Sequence, residues 1–174
     1  MSILKVNTIQ DKGGNTLLSS DGAGVISSGG LITNTPSFGA EMATATSVTN
    51  GTWTKLECDS EKWDTNSAYD STTNYRFTVP SGQAGKYYFQ GHFHVPGVDA
   101  NELGAIKFYI NGVAQNQTEV REQKASADRD IYLSCVYTTN LSVGDYVELY
   151  VFQNSGDTQN ADSGVFTGYK LIGA

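Results

Sequence analysis

The sequence has two histidines, two cysteines, few basic residues and no long apolar run, and each shortage excludes a class of protein. Nothing approaches the ~18 consecutive apolar residues that mark a membrane-spanning helix. The amino terminus also lacks the apolar core of a secretory signal. No stretch offers three clean turns of amphipathic helical spacing, so a helical fold has no foundation. Lysine and arginine total 11 against 18 acidic residues and stand singly. With a net charge of −7 and no basic patch to displace phosphate counterions, nucleic-acid binding is excluded. Cys58 and Cys135 can pair in principle, but a chain without a secretion signal favours two reduced thiols buried as small hydrophobes. Serine and threonine are abundant, yet no motif sets one beside a histidine, and no nucleophile–base pair emerges.

What the sequence does hold is 19 glycines, 10 tyrosines, 7 phenylalanines and many Ser, Thr and Asn residues between apolar runs. Tyr, Phe, Val and Thr fill pleated surfaces, while Gly, Asn and Asp accept turn geometry. The class is all-β. Organisation changes near residue 35. In 1–35 the apolar runs Ile3–Ile9, Leu17–Leu18, Val25–Ile26 and Leu31–Ile32 are each too short to bury themselves, so this leader must pack against copies of itself or a partner. A flexible Gly/Ser leader is the alternative.

In 36–174 the alternation predicts strands at Ser37–Met42, Thr52–Leu56, Tyr75–Val79, Gly85–Val95, Ala105–Ile110, Asp130–Leu141, Tyr146–Gln153 and Val165–Ile172, with Thr44–Val48 as a further candidate. Asn111-Gly112 is a type I′ hairpin signal. This density of short strands indicates a β-sandwich or barrel.

The order of motifs is more specific. "NYRFTVPSGQAGKYYFQGHFHV" resembles the strand–turn–strand core of C1q-like domains, and "IKFYINGV" resembles their Asn-Gly hairpin. "LSVGDYVELYVFQN", "FTGYKLIG" and "PSFGAEMA" are similar to the Gly-Asp turn, the closing strand and the opening strand. Tyr169 stands where that family has Phe, and Glu119–Asp128, expected to be a loop, matches no family pattern. "LKVNTIQDKGGNTLLSSDGAGVI" resembles the leader before C1q-like heads in bacteriophage fibre proteins, especially those of marine cyanophages. The resemblance implies a jelly-roll head at 36–174 that forms a homotrimer, and a leader at 1–35 that binds other virion proteins. It further implies a virion location and no enzymatic activity.

The two histidines lie in "KYYFQGHFHVPG". Alternation puts Tyr87, Phe89, Gly91, Phe93 and Val95 on one face, fully apolar and suited to a core. Tyr88, Gln90, His92 and His94 share the other face, which is large, uncharged and amphipathic and suits burial against another subunit. In C1q-like and tumour-necrosis-factor-like trimers this sheet faces the three-fold axis, so these four residues, with Tyr150 and Tyr169, are the expected trimer interface. The competing enzymatic reading is a cupin, whose metal strand carries His-x-His followed by a carboxylate, here Asp99 or Glu102. It lacks a third histidine and would turn Phe89 and Phe93 to water. A metal or anion held on the axis by three copies of His92 is a further alternative. The expectation is interface residues, with no metal and no cofactor.

Asp59, Glu61, Asp64 and Asp70, with Asn66 and Asn74, are oxygen donors in a turn-rich stretch that can be read as a Ca²⁺ loop or, more simply, as solvated turns. Trp53 is expected in the core. Trp63 is expected in a polar loop, either stacking on a sugar or covering an edge of the sandwich. Trp63, Glu119, Arg121 and Asp128 are the candidate contacts to a host-surface glycan or protein. A capsid decoration or baseplate trimer without a receptor is the alternative function.

Overall fold

Fourteen-residue alternation organises the head. In the computed structural model, which describes residues 6–20, 22–23, 26–28, 35–98, 101–123 and 129–171, the chain divides into two compact units at Asn34/Thr35. The first unit contains β1 (Thr8–Gln10), β2 (Thr16–Ser20) and β3 (Ile26–Ser28), an antiparallel meander in which β2 is central. Asp11 closes its first turn: Oδ1 accepts from the N–H groups of Gly13 and Asn15. Val6, Ile9 and Leu18 remain exposed, as runs this short predict. The expected runs at Ile3–Lys5, Val25 and Leu31–Ile32 lie outside the described residues.

The second unit begins with β4 (Ser37–Glu41), β5 (Thr46–Val48), β6 (Thr54–Lys55), β7 (Ser60–Asp64), β8 (Tyr69–Asp70) and β9 (Arg76–Thr78). It continues with β10 (Gly85–Val98), β11 (Leu103–Ile110), β12 (Val113–Ala114) and a single 3₁₀ turn at Asn116–Thr118. The last elements are β13 (Val120–Gln123), β14 (Arg129–Leu141), β15 (Tyr146–Gln153), β16 (Gln159–Ala161) and β17 (Ser163–Lys170). One sheet has the order β14-β10-β17-β4-β7. The other runs β12-β11-β15-β9-β8, with β13 added to β11 and β6 added to β15, and β16 pairs β5 as a separate ribbon. Every ladder among the described residues is antiparallel, so sequence alternation translates directly into an inner and an outer face on each sheet.

The inner faces meet in one aromatic core. Phe38, Phe89 and Phe166 come from the first sheet, and Phe77, Phe108 and Leu149 from the second, all with no exposed surface. Phe38 stacks on Phe77 at 5.2 Å, and Phe89 meets Phe108 at 6.2 Å. Gly168 on β17 is required here, because a Cβ would lie 2.4 Å from Cδ1 of Phe89. Tyr87, Phe89, Phe93 and Val95 are fully buried, as the alternation of β10 predicts. Asn111 and Gly112 take φ of 51° and 75°, the left-handed pair that a type I′ hairpin demands. Cys58 and Cys135 are free, buried thiols, and burial pushes both up to about 12.

Three expectations change. The stretch around Trp63 is a strand, β7, and not a loop. Its sequence is polar because it lies at a sheet edge, where alternation has little to bury. Residues 120–123, expected in a loop, form β13 against β11. Trp53 is half-buried on the outside of the second sheet, packed on Phe152 at 5.4 Å, and is not core.

Candidate functional site

Residues of odd number in β10 fill the core, so the even ones must stand on the open face of the five-stranded sheet. Register lines them up with their neighbours in four rows across the strands. The first is Thr138–Tyr88–Tyr169–Ser37, and the second is Val136–Gln90–Thr167–Gly39–Trp63. The third is Ser134–His92–Val165–Glu41, and the fourth is Tyr132–His94–Ser163. Tyr88, Gln90, His92, His94 and Tyr169 are thus brought together, with the Tyr88 and Tyr169 rings 5.3 Å apart.

This face exposes the head's large aromatic side chains, while Val113, Val120 and Val143 are exposed elsewhere on the head. Tyr132 is 62% exposed, Val136 56%, Trp63 49% and Tyr169 36%. Trp63 lies flat over the backbone of Gly39, where a Cβ would come within 2.3 Å of the indole. It therefore belongs to the open sheet face and not to a receptor-facing loop. Tyr132 and Val136 are absent from the expected interface, yet the sequence held the signal: they alternate with the buried Ile131, Leu133 and Cys135.

The two histidines differ. His94 is served on one side only: Nδ1 lies 2.5 Å from Oδ1 of Asp162 and its ring stacks on Tyr132 at 4.2 Å, whereas Nε2, 3.4 Å from a carboxylate oxygen of Asp130, is buried with no hydrogen bond among the described residues. His92 has Nδ1 buried with no hydrogen-bond partner among the described residues. Burial, and secondarily the neighbouring His94, hold its imidazole below the usual histidine range. A cupin site needs both rings inside the barrel, and those interior positions are filled by Phe93 and Val95. Asp99 lies outside the described residues.

Tyr150 does not join this face. It stands on the outside of the other sheet, with its ring 4.0 Å from Tyr109. Alternation correctly separates it from Leu149 and Val151 but carries no information about which sheet β15 enters. That outer face is polar and internally paired. Lys55 meets Glu148 at 2.5 Å, and Arg76 lies 4.1 Å over the Tyr146 ring. Lys107, only 5% exposed, sits 3.9 Å over Trp53 and 3.1 Å from Glu119. Glu119 also pairs with Nε of Arg121. Hydrogen bonds from Arg121 and Lys107, with their charges, outweigh its burial and hold its carboxyl below the usual carboxylate range. Glu119 is therefore a structural anchor as well as a contact candidate, Arg121 is exposed on β13, and Asp128 lies outside the described residues.

The acidic stretch is not assembled as a Ca²⁺ loop. Asp59 accepts from Ala43 and Thr44, Asp64 from Asn66 and Tyr69, and Asp70 from Thr72, Thr73 and Asn74. Asp64 and Asp70 close their own turns, and Asp59 caps the Ala43–Thr44 turn from across the fold. Among the described residues no group of three His, Cys, Asp or Glu side chains is placed to hold a metal ion.

The same architecture occurs in solved structures. The chain is similar to the globular domain of zebrafish complement 1qA, with a TM-score of 0.59 and 16% identity over 78% of this chain and 97% of that one. It is also similar to the Eiger TNF of S. frugiperda, with a TM-score of 0.51 and 12% identity over 80% of this chain and 95% of that one. No protein-family model matches the sequence, and no curated protein matches it. The fold is thus the jelly-roll sandwich of C1q and TNF domains.

Proposed function

We propose that this chain is a homotrimeric bacteriophage fibre or appendage protein whose jelly-roll head contacts the host surface and whose leader attaches to the particle. The observation that carries the assembly is the open face of the five-stranded sheet. Tyr132, Val136, Trp63 and Tyr169 are exposed there around a buried, unpartnered imidazole nitrogen. A sheet face that exposes several large apolar side chains suits a protein interface, and tyrosine and tryptophan suit its core. The fold shared with C1q and TNF domains supports a trimer, and the fibre-like sequence of residues 5–24 supports the virion location.

The leader supports attachment by the same logic. Val6, Ile9 and Leu18 stay exposed on a three-stranded meander, apolar surface that is suited to burial against other chains. A trimer would carry three times −7, or −21, so contact with an anionic cell surface would depend on short-range polar and aromatic groups. No cofactor enters this reading.

Immunogold labelling of particles from the source culture, with antibody raised against the head, tests the assignment. Label at fibre tips is the expected result. Label spread over the capsid would indicate a decoration protein instead, and particles without label would overturn the virion role.

A further inference from the structure

The outer face of the seven-stranded sheet holds a second feature. Lys107, Asn116, Glu119 and Arg121 line an open depression of about 630 Å³. Arg121 is shared with an adjoining hollow of about 140 Å³ whose walls are Trp53, Phe152, Leu103 and Ala105. We infer that this pair of hollows is a binding subsite for a carboxylated sugar residue, held by Arg121 and stacked against the aromatic wall.

Three properties point to that chemistry. The floor is rigid and chemically satisfied: the Lys107 ammonium donates to Asn116 and Glu119 at 3.1 Å each and rests on the Trp53 ring. Such a buried, fully partnered lysine is a scaffold and not itself the ligand anchor. Arg121 differs. Glu119 engages its Nε, which fixes the plane of the guanidinium, and its two terminal nitrogens have no partner among the described residues. A fork held at its Nε edge, with its two terminal nitrogens unpartnered among the described residues, matches a planar carboxylate in two parallel hydrogen bonds. Lys107, Arg121 and Glu119 together carry one net positive charge, which suits a monoanion, on a chain of net charge −7.

The aromatic wall supplies the second half. Trp53 and Phe152 pack on each other at 5.4 Å and line the hollow beside the arginine; Lys107 covers one face of the indole, which leaves the remaining ring surface to meet the weakly positive C–H groups of a pyranose. A sugar with a carboxylate on C5 would place its ring on this wall while its acid reaches the fork. A neutral sugar would use the wall alone. The biology of the site rests on the surface-contact role proposed above, but the chemistry does not, since all its residues belong to one chain.

The test is a titration of the full-length protein with cellobiouronic acid and with cellobiose, following the indole N–H signals of Trp53 and Trp63 by NMR. The expected result is a saturable shift of the Trp53 signal with the uronide, no shift at Trp63, and cellobiose weaker by about tenfold or more, the value of a charge-assisted pair. Arg121→Gln should bring the uronide down to the level of cellobiose, and Arg121→Lys should restore little of the loss. Equal binding of the two sugars, a uronide shift that survives Arg121→Gln, or no shift at Trp53 would each overturn the inference. A monomer in sedimentation would defeat the trimer proposal while leaving this titration intact.

Discussion

The two sheets of the head turn opposite kinds of surface outward. On the seven-stranded sheet the charges are matched by their own neighbours: Lys55 by Glu148, Lys107 by Glu119 and Trp53, Arg76 by the Tyr146 ring. On the five-stranded sheet the exposed groups are Tyr132, Val136, Trp63 and Tyr169, and His92 keeps a buried nitrogen unpartnered. A face that satisfies itself is fit for solvent. A face that leaves apolar surface and an imidazole wanting suits completion by another subunit, as proposed above. On this comparison rest our two proposals, assembly through one sheet and ligand contact on the other.

The largest effect should come from charging the apolar face. Tyr88→Asp or Val136→Asp is expected to abolish the trimer, because carboxylates from three subunits would meet in a poorly solvated interface. Val113→Asp, an equally exposed valine in the hairpin of the other sheet, should leave the mass in light scattering unchanged. Loss of assembly in that variant as well would break the comparison.

Next is the buried ion pair. Glu119→Gln removes one partner from the nearly inaccessible Lys107 and should cost about 3 kcal/mol in urea unfolding, with the trimer retained in the folded fraction. Inward and outward glycines should then separate. Gly168→Ala drives a methyl into Phe89 and should destabilise by about 1–3 kcal/mol. Gly39→Ala only displaces the half-exposed Trp63 and should change assembly more than unfolding.

A smaller effect follows pH. Burial lowers the His92 pKa, so the folded state binds fewer protons than the unfolded state below the ordinary value of 6.5. Stability is therefore complete above about 6.5 and falls as pH drops toward the lowered pKa. Thermal unfolding between pH 8 and pH 5 should show that decline, and His92→Gln should reduce it. The smallest signal is the thiols: with Cys58 and Cys135 buried and pushed up to about 12, neither should react with a thiol reagent at pH 8 until the head unfolds.

Much of this was legible in the sequence where one strand face is dry. The alternation of Tyr87 to Val95 fixed both the core and the open face, and the Asn111-Gly112 turn was readable from two residues. Three positions were not read correctly. Tyr150 was misplaced because alternation is local, whereas the sheet that β15 enters is decided by pairing with β11 and β9. Trp63 was misread because an edge strand need not alternate. Trp53 looked like core, although Lys55 two residues on marks the same outward face. The His94–Asp162 pairing spans 68 residues and leaves no local trace.

The most direct test of the assembly account is sedimentation equilibrium of the intact protein at micromolar concentration and pH 8. The account predicts a single species of three times 18.7 kDa, about 56 kDa, that Val136→Asp converts to monomer. A stable 18.7 kDa monomer, or a trimer indifferent to that substitution, would contradict it.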